Sequence, residues 1–196
     1  MDLRLIVITD ADAAAPRDPV DVVRAALRAG APAVQLRDKR ATPRALAIEH
    51  DALLFVNDRM DVALAADADG VHLGPDDVPL VAARRAAPAA FLIGYSTDDP
   101  EEAALAAAAG ADYIGCGAVF GTESKRDAHG ERIGVDRLDA VARAVDVPVV
   151  GIGGITVENV DRVAATSAAG TAVIRGVMAA PDPGRAVERL LAPFSS

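Results

Sequence analysis

The sequence predicts a compact (β/α)8 TIM barrel formed as one domain over residues 1–196, and three observations carry that prediction. Eight short β-rich runs alternate with Ala-rich helical patterns along the chain, the signature of βα units around a parallel sheet. The runs are almost continuously apolar, as strands are when helices cover one face and packed side chains fill the other. Eight units in 196 residues leave about 24 residues each, tight beside the ~250 residues usual for this fold.

The expected strands are Leu3–Thr9, Ala33–Arg37, Leu53–Asn57, Gly70–Leu73, Phe91–Tyr95, Tyr113–Gly117, Val147–Ile152 and Ala172–Arg175. Helix starts are marked by Asp18-Pro19, Thr42-Pro43, Asp99-Pro100 and Asp182-Pro183, each a capping side chain before a proline at the first helical position. Asp99 and Glu102 also have the spacing of a capping box. Gly30, Gly70 and Gly110 follow Ala-rich runs and are expected to end helices in the left-handed conformation. The pieces Ala29-Gly30-Ala31, Asp67-Ala68-Asp69-Gly70 and Ala109-Gly110-Ala111-Asp112 form a quasi-repeat. Between Thr42 and Leu53 there is room for about two helical turns. The second barrel helix is therefore expected to be short, exposing neighbouring apolar surface and inviting a homo-oligomeric contact. An open doubly wound sheet is the competing architecture. Its dinucleotide loop is suggested by Gly151-Ile152-Gly153-Gly154, but the third glycine of that fingerprint falls at Thr156.

Composition narrows the function classes. A net charge of −9, with no basic stripe interleaved with aromatics, argues against nucleic acid as a partner. No apolar run approaches the ~18 residues of a membrane span. The opening Met1-Asp2-Leu3-Arg4 lacks a basic segment followed by an apolar one. Cys116 is the lone cysteine, so no intramolecular disulfide forms; a cytoplasmic protein with Cys116 as a small core residue is expected. The cations are 18 Arg against 2 Lys, which singles out Lys39 and Lys125.

In a barrel, residues just beyond the strands share one rim, where polar groups distant in sequence converge. Those positions hold Gln35, Arg37 and Lys39, then Asn57 and Asp58, Asp76 and Asp77, and Ser96. A long polar segment, Gly121-Thr122-Glu123-Ser124-Lys125-Arg126-Asp127, follows strand six. It exceeds the 2–6 residues typical of such loops and is read as a lid extending to Gly134. Both lysines fall on the rim, where an ammonium suits phosphate oxygens. Asp58 and Asp77 lie one βα unit apart, so their carboxylates, with substrate phosphates and waters, suit Mg²⁺; helix capping is the competing role for each. Gly153-Gly154 and Arg175-Gly176 close strands seven and eight, the loops that form the recurrent barrel phosphate site. His50, His72 and His129 are scattered and make no zinc cluster.

The motifs Val34-Gln35-Leu36-Arg37-Asp38-Lys39, Val56-Asn57-Asp58-Arg59-Met60-Asp61-Val62-Ala63, Asp69-Gly70-Val71-His72-Leu73-Gly74-Pro75-Asp76-Asp77, Gly94-Tyr95-Ser96-Thr97, Val119-Phe120-Gly121-Thr122-Glu123-Ser124-Lys125 and Gly151-Ile152-Gly153-Gly154-Ile155 together resemble the thiamine-phosphate synthase family. They run in the family's order over nearly the whole chain. The resemblance implies a transferase that joins hydroxymethylpyrimidine diphosphate to a thiazole phosphate and releases pyrophosphate. It places Gln35, Arg37, Lys39, Asn57, Ser96 and Lys125 around the pyrimidine diphosphate, with Asp38 and Glu123 beside them, and gives catalytic roles to Lys125, Ser96 and Lys39. It assigns Mg²⁺ to Asp58 and Asp77, and the thiazole phosphate to Thr122 and Ser124 with Gly153, Ile174 and Arg175 at its phosphate end.

Two departures from the family stand out besides the short helix. Arg175 replaces a serine common at the end of strand eight, either adding donors for phosphate or obstructing the backbone site. Gly121 stands where proline is frequent, which frees the loop backbone. The related thiazole tautomerase is the nearest rival, but it carries a histidine before the Val-Phe of this loop where Ala118 stands here, and alanine moves no proton. A phosphate-ligand-binding barrel without catalysis is the rival from another class.

Overall fold

The computed structural model describes residues 1–37, 44–121 and 132–195, apart from the side chains of residues 44–46. Eight parallel strands close into one barrel in chain order: β1 (Leu5–Ile8), β2 (Ala33–Leu36), β3 (Leu53–Asn57), β4 (Gly70–Leu73), β5 (Leu92–Ser96), β6 (Tyr113–Gly117), β7 (Val149–Ile152) and β8 (Gly170–Val173). The barrel seam is the pairing of β8 with β1, Thr171 opposite Leu5 and Val173 opposite Val7. Helices alternate with the strands. α1 (Ala11–Ala14) and α2 (Pro19–Arg28) follow β1, α3 (Arg44–Glu49) follows β2, and α4 (Met60–Ala65) and α5 (Leu80–Ala86) follow β3 and β4. α6 (Pro100–Ala108), α7 (Gly134–Arg143) and α8 (Val160–Ala164) follow β5 to β7, and α9 (Arg175–Met178) with α10 (Pro183–Leu191) closes the ring after β8.

Strand periodicity divides the buried residues into two cores. Positions such as Leu5, Val7, Leu54, Val71, Ile93 and Ile114 point outward into the helix layer. Their neighbours Ile6, Ile8, Ala33, Phe55, Tyr113, Val150 and Ala172 fill the lumen. The barrel centre is thus packed at its base, and the polar side chains that enter the lumen reach toward the end where the strands terminate.

The short second helix is present as the six residues of α3, and Ile48 on α3 with Val62 and Leu64 on α4 lies exposed. Asp18, Asp99 and Asp182 accept from backbone N–H groups in the first turns of α2, α6 and α10. The capping box closes differently: Thr97 Oγ1 accepts from Asp99 N at 3.1 Å and donates to Glu102 at 2.5 Å. A threonine hydroxyl thus stands between the two members of the box.

Two sequence expectations are corrected. Gly70 does not end a helix; it opens β4 at a point where a Cβ would lie 2.4 Å from the Leu92 carbonyl oxygen. Asp67, at φ 51°, closes α4 instead. β8 begins two residues earlier than expected because Gly170 passes so close to β1 that a Cβ would meet Leu3 O at 2.0 Å. It ends at Val173, and Arg175 opens α9, with Ile174 O accepting from Val177 N and Met178 N.

Candidate active site

The β1–β2 ladder continues past its strands and builds the first part of the rim. Thr9 N donates to Gln35 O at 2.9 Å, and Arg37 N donates to Thr9 Oγ1 at 3.0 Å. Gln35 is buried in the lumen, while Arg37, two residues on, is exposed at the mouth. On the neighbouring strands the inward positions near the mouth are Asn57 opposite His72, and Ser96 opposite Gly115.

These inward side chains form a connected polar layer above the apolar lumen. His72 Nδ1 lies 2.9 Å from the Tyr113 hydroxyl and Nε2 lies 2.8 Å from Ser96 Oγ. The Gln35 side chain hydrogen-bonds the Tyr113 oxygen, and burial of the whole phenol drives its pKa up. Tyr113 also packs edge-on against Phe55, centroids 5.3 Å apart. Small residues make room for these rings. A Cβ at Gly94 would lie 2.2 Å from Tyr113 Cζ and 2.5 Å from His72 Nδ1, and one at Gly115 2.8 Å from His72 Cε1. The sequence expectations give neither His72 nor Tyr113 a role in the site. Their signal was the strand parity that aligns them with Gln35 and Ser96, together with glycines at the facing positions.

Asp58 and Asp77 meet at the same rim. The Asp58 carboxyl is raised from its ordinary pKa first by desolvation, then by the charge of Asp77 and a hydrogen bond shared with it; Asn57 and Arg37 pull the other way. Neither aspartate caps the helix that follows it, since α4 and α5 begin without a side-chain cap. Asp77 Oδ2 instead accepts from Gly74 N at 2.7 Å, and Asp58 N donates to His72 O at 2.8 Å. Asp58 sits at φ 62°, a left-handed conformation that turns the chain at the strand end.

The far side of the mouth is built from backbone. Gly153 and Gly154 occupy successive positive-φ positions, 97° and 67°. A Cβ would lie 2.7 Å from Ala118 Cα at the first and 2.6 Å from Gly121 O at the second. Phe120 N donates to Gly153 O at 2.9 Å, and Arg162 stacks on the Phe120 ring at 4.8 Å, tying the start of the β6–α7 connection to the β7 loop. Gly121 has φ 91°, which a proline ring cannot adopt. Across from these glycines, Ile174 is half-buried and Arg175 exposed. Cys116 is buried in the outer core, its thiol pushed up to about 12.

The structure therefore brings Gln35, Arg37, Asn57, Asp58, Asp77, Ser96, Gly153, Ile174 and Arg175 to one end of the barrel. Asp38, Lys39, Thr122, Glu123, Ser124 and Lys125 lie outside the described residues, as does most of the segment read as a lid. Among the described residues no group of three or more His, Cys, Asp or Glu gathers as a metal cluster, and no helix is long and apolar enough to cross a membrane.

Residues 5–177 match the family model described as thiamine monophosphate synthase. A thiamine-phosphate synthase of Roseiflexus castenholzii is 50% identical over 194 residues, covering 94% of this chain and 85% of that protein. One of Natronomonas pharaonis is 44% identical over 200 residues, covering 96% and 94%. The thiamine phosphate pyrophosphorylase structure from Pyrococcus furiosus superposes with TM-score 0.85 at 44% identity, covering 98% of this chain and 95% of that one. With a rim of this kind on a closed eight-stranded barrel and matches over almost its full length, the chain belongs to the thiamine monophosphate synthase family.

Proposed function

We infer that the barrel mouth joins hydroxymethylpyrimidine diphosphate to a thiazole phosphate, forming thiamine phosphate and releasing pyrophosphate. The observation that carries this reading is the pairing of Asp58 with Asp77 on the rim that also holds Ser96 and Arg37. A site for a doubly charged leaving group needs cationic and donor groups where negative charge accumulates, and here they surround a pair of carboxylates that do not cap helices.

The donor set fits Mg²⁺: two carboxylate oxygens donors in contact, one of them held above its ordinary pKa by desolvation and by the other, with the rest of an octahedral shell left to phosphate oxygens and water. When bound, the ion would neutralise charge on the diphosphate. Arg37 faces the same group from β2, and Ser96 offers a hydroxyl from β5. Lys39 and Lys125 are assigned to the diphosphate, with Asp38 and Glu123 beside them. Gly153, Ile174 and Arg175, with Thr122 and Ser124, take the thiazole phosphate.

The reaction breaks the carbon–oxygen bond between the pyrimidinylmethyl carbon and the diphosphate, and the electron pair leaves with the diphosphate. The thiazole nitrogen then bonds to that carbon, and where the thiazole phosphate is supplied as its carboxylate the carboxyl group leaves as CO2. The packed apolar lumen beneath the site excludes water from below, which protects a cationic carbon from hydrolysis. Ala118 leaves the tautomerase's proton-moving position without an ionisable side chain. The lone buried Cys116 suits a cytoplasmic enzyme, and the exposed Ile48, Val62 and Leu64 support a homo-oligomeric contact beside the short helix.

The reading is tested with the thiazole carboxylate phosphate supplied alone. The protein is expected to leave its double-bond isomer unchanged and to consume it only once the pyrimidine diphosphate is added. Isomerisation without the second substrate would replace the synthase reading with the tautomerase one.

A further inference from the structure

The polar layer at the top of the lumen has a direction, because each of its members has a limited supply of protons. The Gln35 amide reaches the Tyr113 oxygen, opposing the rise in pKa that burial imposes on the phenol, as a donor does. Tyr113 then has one proton left to place, and its other partner is His72 Nδ1 at 2.9 Å. A neutral imidazole that accepts at Nδ1 carries its proton at Nε2. That proton meets Ser96 Oγ at 2.8 Å, so Oγ accepts from His72, and its own hydrogen, which a protonated Nε2 cannot accept, is left to turn toward the mouth. The glycines at 94 and 115 leave both rings the space they occupy, at the cost that glycine carries inside strands.

We propose that Tyr113, acting through His72, is a positioning residue that sets Ser96 as a hydrogen-bond donor to the diphosphate oxygens of the substrate. The proposal rests on the synthase reading for the identity of that anion. No proton is transferred: the buried phenol keeps its hydrogen, and His72, already protonated at Nε2, cannot serve as a base toward Ser96. Charge growing on the departing oxygen meets an O–H that needs no reorientation, the preorganisation on which such sites depend.

Long-range ¹H–¹⁵N spectra of the imidazoles test the polarity without any substrate. The chain has three histidines, so His50→Gln and His129→Gln assign the third. The expected spectrum shows His72 neutral and protonated at Nε2, and shows that tautomer lost or mixed in Tyr113→Phe, which keeps the ring. A wild-type His72 protonated at Nδ1, or at both nitrogens near neutral pH, overturns the proposal.

Inorganic pyrophosphate with Mg²⁺ tests the consequence for the anion, and its affinity is expected to fall about fivefold in Tyr113→Phe. In turnover, Ser96→Ala is expected to lose on the order of 100-fold in kcat. Tyr113→Phe should lose roughly tenfold with KM for the pyrimidine diphosphate nearly unchanged, and the double variant should be no slower than Ser96→Ala. Unaltered kcat in a folded Tyr113→Phe, or losses that multiply in the double variant, would contradict the relay. An inactive wild type would remove the synthase reading, while the imidazole spectrum would still decide the polarity.

Discussion

At the scale of single residues, the site is organised by groups held in conformations that cost stability. Asp58 adopts a left-handed backbone and faces Asp77, and its carboxyl is raised above the ordinary 3.8 by desolvation and by that neighbour. A raised acid binds its proton more tightly folded than unfolded, so the folded state loses stability as pH rises from the ordinary value through the folded pKa, and the full penalty stands at pH 7. Asp58→Asn removes the charge but keeps the shape. In the presence of a chelator at pH 7 it is expected to melt at a higher temperature than the wild type, by a few degrees, and thermal denaturation followed by circular dichroism measures this. Added Mg²⁺ is expected to raise the melting temperature of the wild type and not that of the variant, since a ligand stabilises only a protein that binds it. A stability gain bought by losing the ligand is the behaviour of a functional residue, not of a helix cap.

At the scale of elements, one closing device recurs beneath the barrel. Gly30, Asp51, Asp67 and Gly110 all have positive φ, from 51° to 102°, and the N–H groups of Ala31, Ala52, Ala68 and Ala111 reach back five residues to the last turn of the helix before them. Each of these alanines is buried, which seats the chain for the strand that follows. Gly30 has open space where a Cβ would stand, so Gly30→Ala isolates the backbone strain. It is expected to cost about 1–2 kcal/mol in urea unfolding, with no change in activity. This device also explains what was legible in the sequence. Ala-Gly-Ala could be read as a helix end at Gly30 and Gly110, and the apolar runs marked β3, β4 and β6 to the residue. Asp51 and Asp67 carry no such mark because aspartate takes the left-handed conformation less often than glycine, and Gly70, three positions after Asp67, is the glycine to which the composition points instead. At β8 the apolar run continues through Ile174, so hydrophobicity alone could not mark where strand gives way to α9. His72 and Tyr113 were hidden for a related reason: in a strand buried on both faces, nothing in the apolar pattern separates the lumen from the helix layer until the register is known.

At the scale of the whole molecule, the charge of −9 and polyanionic substrates are reconciled by where charges sit. Every ion pair among the described residues joins Arg to Asp, and most lie on the solvent face, as Arg24 with Asp21 and Arg143 with Asp139 do. Such pairs contribute little individually, and they leave the mouth to Arg37 and Arg175, beside which Lys39 and Lys125 are proposed to act. The central claim is that this mouth makes thiamine phosphate. Purified protein is to be incubated with hydroxymethylpyrimidine diphosphate, thiazole phosphate and Mg²⁺, and thiamine phosphate and pyrophosphate quantified over time. The account predicts that both accumulate over many turnovers in equal amounts and that chelation of Mg²⁺ stops them; both substrates bound with neither product formed would contradict it.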